Sequence, residues 1–387
     1  MHKIKDYRII YIIMCLLIPT AASYLNPIIS LYLSEVLHFT SQKIALTFIV
    51  TPVILVLVVF LCGKISDKGF SRRRIILISA IFGVITNFIF MSEPSELTLF
   101  LALVPCYALS QVAFSQIFAS AREYSVQYMT SSLGFTTFLR SLASVAWVAG
   151  PPISYFLITN VSYDALFILC ASVYSTAGIT AITMLPEMKD IAKANSRSVE
   201  GIKIFNQNII TLFVSTVLMY TAFSSYLNTM PLYLIYELNL DKDVPGYMFS
   251  LSAFLEIPIM MLCIRFAKKA GLKKVIASGV ICQLVYLTVL PHINTTVQIL
   301  ISSILPAMFI GTVSTMGMVL FQELLPKLPG QATSLFLNGC TSGIIIGGAV
   351  IGLSETGHYK VIYYLGSILT LIALALLYKV RKPEEIR

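Results

Sequence analysis

Hydrophobic residues in this chain fall in long blocks, and the charged and turn-forming residues fall in short clusters between them. A block of about twenty apolar residues is what an α-helix needs to cross the hydrocarbon of a bilayer. Twelve such blocks can be marked off, at 9–33, 43–62, 75–92, 97–118, 132–158 and 164–185, then 207–236, 245–265, 275–291, 296–321, 331–353 and 360–379. The pattern predicts an all-α, polytopic membrane protein with twelve transmembrane helices. The first block is too long for a cleaved leader, and Asn26 and Pro27 interrupt it where a plain apolar core would be expected. It therefore reads as the first span.

The longest hydrophilic stretch between spans, Pro186 to Asn206, sits near the midpoint. It divides the chain into an N-terminal six-helix bundle (1–186), a linker (187–206) and a C-terminal six-helix bundle (207–387). A repeat supports that division. Spans two and three are joined by "GKISDKGFSRRRIILI", from Gly63, and spans eight and nine by "RFAKKAGLKKVI", from Arg265. Both are tight, basic turns containing glycine, at the same place in each half, as in transporters built from parallel repeats. In the first copy Gly63 allows close helix approach, and Asp67 can pair with Arg72, Arg73 or a neighbour.

Composition sharpens the class. Hydrophobic residues make up 57% of the 387 and charged ones 12%, about half the ~25% charge of a soluble domain. With the N-terminus placed in the cytoplasm, all but four of the 27 lysines and arginines fall on the cytoplasmic side; Lys43, Lys242 and Lys360 lie outside and Arg140 lies within a span. The net charge of +9 is thus a signal of orientation. Spread over separate segments, it does not point to nucleic acid. The seven cysteines lie in or beside spans without a C-x-x-C pair and read as small apolar fillers.

The turn "GKISDKGFSRRR" resembles the signature loop of the major facilitator superfamily, with the glycine after the aspartate one residue early and the second copy lacking both the first glycine and the aspartate. A narrower likeness covers both halves. The stretches "LNPIISLYL" (Leu25–Leu33), "AREYS" (Ala121–Ser125), "FLRSLASVAWVAGPP" (Phe138–Pro152), "MPLY" (Met230–Tyr233), "LEIPIMML" (Leu255–Leu262) and "LPGQATSLFLN" (Leu328–Asn338) resemble the bacterial sugar efflux transporter family. Two positions depart from it: that family tends to carry glutamine at Asn26, and an arginine in the stretch here occupied by Gly339 to Ser342. The resemblance implies two six-helix halves around a central cavity in the bacterial inner membrane, with both termini cytoplasmic. It also implies export of sugars or sugar-like compounds from the cytoplasm, driven by proton antiport. One chain of twelve helices in the lipid bilayer is sufficient for transport, so the chain is expected to work as a monomer.

Polar residues inside the spans are the candidate chemistry. Glu256 stands mid-way along span eight, roughly 15 Å from either end at 1.5 Å per residue. A charged carboxylate facing lipid there costs a few kcal/mol, so it must face the interior of the protein. Arg140 belongs to a stripe of Thr136, Thr137, Arg140, Ser144 and Trp147 on span five, and stays charged. The implied fold sets spans five and eight side by side, which makes an Arg140–Glu256 pair plausible. Three roles stay open for Glu256: a structural ion pair, a proton-coupling site and a substrate contact.

Amides supply both donor and acceptor to sugar hydroxyls, and tyrosines supply a flat apolar face with a polar rim. Asn26 with Tyr24 on span one, Gln111 on span four, Asn228 on span seven and Asn338 on span eleven are the candidate substrate contacts. Each lies one helical turn from another polar residue. Serine and asparagine also bond helix to helix, so each is a contact or a tie between helices. Gly150-Pro151-Pro152 in span five interrupts backbone hydrogen bonding within the bilayer. In the superfamily a Gly-Pro pair at this place accompanies exporters that exchange against protons.

No nucleotide-binding G-x-x-x-x-G-K-[ST] loop, metal-binding H-x-x-x-H or G-x-S-x-G elbow occurs. The reading is therefore a transporter without cofactor or metal, not an enzyme. The alternatives are a proton-driven exporter of amphipathic drugs, with Glu256 as counter-charge, and a membrane solute sensor that moves nothing.

Overall fold

The computed structural model describes residues 7–67, 70–129, 132–187, 206–325, 329–352 and 359–380. Among these, every extended element is a helix. Eleven are long and apolar enough to cross a membrane, and the apolar stretch Leu335–Ile351 lies within a twelfth, Pro329–Ile351. In chain order the spans are Arg8–Glu35, Ser41–Asp67, Arg72–Met91, Glu96–Tyr128, Ser132–Asn160, Tyr163–Met184, Gln207–Glu237, Val244–Ala270, Leu272–His292, Thr296–Leu324, Pro329–Ile351 and Lys360–Lys379. The hydrophobic blocks are thus the helices, and the protein is a multi-pass membrane protein.

Helix ends follow local chemistry. The side chains of Ser95, Ser162, Asn206 and Thr295 cap the starts of spans four, six, seven and ten by accepting from backbone N–H groups. Gly271, at φ +90°, makes the sharp turn between spans eight and nine, a conformation natural only to glycine. Several spans carry irregular turns that hydrophobic patterning does not reveal. Span one passes through a 3-10 turn at Asn26–Ile28, and spans four and seven contain π-helical turns at Leu99–Leu103 and Tyr233–Glu237.

Backbone contacts group the chain into two compact units. One comprises Met1–Tyr32 with Val50–Ser198, and the other Leu33–Ile49 with Val199–Arg387. In the first unit, spans three and six, three and four, one and five, and one and six pack together. In the second, spans nine and twelve, nine and ten, seven and eleven, and seven and twelve pack together. Shifting every number by six converts the first set into the second, so the internal repeat extends from the basic turns to the helix pairings.

Each unit has its own core. Tyr11, Met14, Ile76, Ile117 and Leu139 are buried in the first, and Met219, Val280, Phe309, Phe321 and Phe336 in the second. A buried aromatic cluster recurs as well. Tyr32, Phe90 and Phe167 join spans one, three and six, while Tyr226, Tyr286 and Tyr363 join spans seven, nine and twelve.

The segment Leu33–Ile49, which the sequence reading assigns to the first half, groups with the second unit. Glu35 forms an ion pair with Lys242 at 2.6 Å. A methyl group on Gly348 would sit 2.6 Å from the Phe48 carbonyl oxygen, and one on Gly352 would sit 3.1 Å from Ala45. Small residues on span eleven therefore admit the start of span two at close range.

Candidate functional site

In the first unit the polar residues of spans one, four, five and six converge. Asn26 opens the 3-10 turn of span one and is half-buried. Its amide oxygen accepts a short hydrogen bond from Tyr107 Oη of span four. One turn on, half-buried Gln111 donates through Nε2 to Tyr174 Oη of span six at 3.3 Å and to Ser110 Oγ at 3.4 Å. Ser110 donates its own proton to the Tyr107 carbonyl at 2.7 Å. The Tyr174 ring can lie where it does because residue 83 has no side chain; a methyl group there would fall inside the ring.

The same absence of a side chain lets span five cross span one. A methyl on Gly150 would lie 2.6 Å from Ser23 Cβ. Just beyond, Ser154 Oγ bonds the Tyr24 carbonyl at 2.8 Å and the Gly150 carbonyl at 3.0 Å. Span five continues as one helix through Gly150, Pro151 and Pro152. The expected interruption takes the form of a close helix crossing with no break. Tyr24 is buried, and the polar tie at its position runs through its backbone carbonyl.

In the second unit Glu256 lies mid-helix in span eight and is half-buried. Pro258 follows two residues later and removes a backbone donor. Gly311 of span ten lets that helix pack closely against Ile259 and the Glu256 carbonyl. Among the described residues no side chain forms a hydrogen bond or ion pair with the Glu256 carboxyl group. Tyr220 of span seven is buried and is an electrostatic neighbour of both Glu256 and Cys340. Cys340 lies in the stretch where the resembling family carries arginine. Ser252, one turn before Glu256, donates to the Ser303 carbonyl at 3.4 Å.

Asn228 donates to Ser224 one turn earlier at 3.3 Å, and Ser224 reaches the Ile344 carbonyl of span eleven at 3.4 Å. Asn338 is exposed. The Arg140 and Asp67 side chains lie outside the described residues, so the expected Arg140–Glu256 and Asp67–arginine pairs fall there too.

Arg72 and Arg73 of the signature loop have partners that spacing along the chain does not reveal. Arg72 donates to Glu123 through Nε at 2.9 Å and lies 2.7 Å from it through Nη2, while Nη1 donates to Gln116 at 2.9 Å. Arg73 pairs with Glu187 at 3.2 Å. Among the described residues nothing lies within 4 Å of a methyl placed on Gly63, so the expected close helix approach is not seen at that point.

A sequence profile of the Major Facilitator Superfamily matches residues 11–211 and 212–387. The chain is 28% identical to "Sugar efflux transporter A" of Escherichia coli (strain K12), over 96% of this chain and 95% of that protein. It is 28% identical to "Sugar efflux transporter C" of the same organism, over 92% of this chain and 91% of that one. Among solved structures, the nucleoside transporter NupG superposes with a TM-score of 0.82 over 97% of this chain and 100% of that one, at 17% identity; at that identity the likeness is one of fold. The profile match across both repeats and the shared helical architecture place the chain in the Major Facilitator Superfamily of membrane transporters.

Proposed function

We propose that this protein exports sugars or sugar-like compounds from the cytoplasm in exchange for protons, as a multi-pass protein of a bacterial inner membrane with both termini cytoplasmic. The observation that carries the reading is the likeness to sugar efflux transporters along 96% of the chain. The half-buried amides of the first unit agree with it, because a sugar needs both donors and acceptors.

Asn26 and Gln111 in the first unit and Asn228 and Asn338 in the second are the proposed substrate contacts, and Tyr24 is proposed beside Asn26. Glu256 is the proposed proton carrier. A carboxyl group in a span, with no fixed partner among the described residues, can hold a proton at one stage of the cycle and surrender it at another. Arg72, Arg73, Gly63 and Asp67 serve the architecture of the loop, and Gly150 with Pro151 serves the crossing of spans one and five.

The test is counterflow in proteoliposomes containing the purified full-length chain. Radiolabelled methyl glycosides and cationic dyes are offered in parallel. The expected result is saturable exchange of a glycoside and none of the dyes. Exchange of dyes alone would replace the sugar reading with a drug exporter, and no exchange of either would leave a sensor.

A further inference from the structure

The hydrogen bonds of the first unit fix which end of each amide is left for a ligand. Ser110 spends its only proton on the Tyr107 carbonyl, at 2.7 Å. Toward Gln111 it can therefore only accept, so Gln111 must turn its NH2 group to Ser110 and Tyr174. The Tyr174 hydroxyl lies 3.4 Å from Ser110 Oγ and donates to it, since Ser110 has no proton to give back. That leaves the Tyr174 oxygen free to receive Gln111, and leaves Gln111 Oε1 as an open acceptor.

Asn26 is held in the opposite sense. Its carbonyl oxygen takes the Tyr107 proton, which leaves its NH2 group as an open donor. Among the described residues neither Asn26 Nδ2 nor Gln111 Oε1 has a hydrogen-bond partner, and both residues are only half-buried. Tyr107 and Gln111 stand four residues apart on one helix, which puts their side chains on the same face. Tyr107 is 8% exposed and Tyr174 is 4% exposed, so the two phenols sit behind the amides and do not compete with them for a ligand.

We propose that Tyr107 and Tyr174 are positioning residues that hold Asn26 as a donor and Gln111 as an acceptor, and so tune this cluster to a substrate hydroxyl group, which accepts and donates at once. The proposal rests on the reading of this cluster as a sugar site. A ligand group that only accepts, such as an ether or a carboxylate, would leave Gln111 Oε1 without a donor. A cationic ammonium, which only donates, would leave the Asn26 NH2 group without an acceptor.

The experiment measures initial rates of export by reconstituted full-length protein for radiolabelled methyl glucoside and its monodeoxy derivatives. It compares wild type with Tyr107→Phe and Tyr174→Phe, each of which removes one oxygen atom. In wild type one deoxy derivative is expected to show a KM higher than the parent by roughly three- to tenfold, the worth of one net hydrogen bond. In each variant the parent-to-deoxy ratio falls toward one, while the maximal rate stays within about twofold of wild type. A purely structural role would lower the maximal rate for all sugars and leave the ratio untouched.

An unchanged ratio in both variants overturns the proposal, as does a wild type that ignores every hydroxyl. If one variant fails to accumulate, the other decides. Wild type that moves none of the glycosides overturns the sugar reading itself. That outcome differs from a failure of the positioning claim alone, in which wild type transports and discriminates but the variants discriminate equally well.

Discussion

At the scale of single residues, the ion pair with the clearest cost of removal is Arg72 with Glu123. Both side chains are 15% exposed, and the guanidinium reaches Gln116 as well. Charge-assisted bonds of this kind are stronger than neutral ones. Glu123→Ala is expected to lower stability by about 1–3 kcal/mol, read as a fall in the thermal midpoint of detergent-purified protein. Glu123→Gln keeps an acceptor for the guanidinium and should recover part of the loss. Spacing alone leads from Arg72 to Asp67, because it looks along the chain; Glu123 stands on another helix and becomes a neighbour only when spans three and four pack. Glu256 was legible for the reverse reason, since a carboxylate in an apolar run announces itself without any partner. The amides of spans one and four were legible as a face, from their spacing. The sense in which each is held was not, because it depends on Tyr107 and Tyr174, whose bonds cross 81 and 63 positions of sequence.

At the scale of elements, hydrophobic block length located the membrane helices, since the bilayer imposes a minimum length and demands that backbone groups be satisfied within each segment. The 3-10 turn at Asn26–Ile28 was half-visible, through its Pro27. The π turns at Leu99–Leu103 and Tyr233–Glu237 were invisible, because an i→i+5 bond needs no particular residue. Gly150 shows how a motif can be noticed correctly and given an incomplete cause. Its proline neighbours suggested an interrupted helix, whereas the structure shows a continuous one whose glycine admits span one. Gly150→Ala is expected to cost about 1–3 kcal/mol by overpacking against Ser23. Adding Ser23→Gly removes the Ser23 Cβ and Oγ from the space the new methyl enters, so the double variant should be more stable than the two single losses added together. Unfolding of the three variants in parallel checks this, and simple additivity would place the cause of any loss elsewhere.

At the scale of the whole molecule, one pattern of helix pairings appears twice, together with a recurring basic turn and a recurring aromatic cluster. The two repeats differ in chemistry. The first gathers neutral amides and phenols of spans one, four and six, and the second carries Glu256 with Tyr220 as an electrostatic neighbour. The central claim is that Glu256 couples proton movement to substrate movement. The most direct measurement is transport by Glu256→Gln in proteoliposomes, with and without an imposed pH gradient. The variant is expected to retain counterflow of labelled substrate but to lose accumulation driven by the gradient, while wild type shows both. Gradient-driven accumulation by Glu256→Gln at the wild-type level would contradict it.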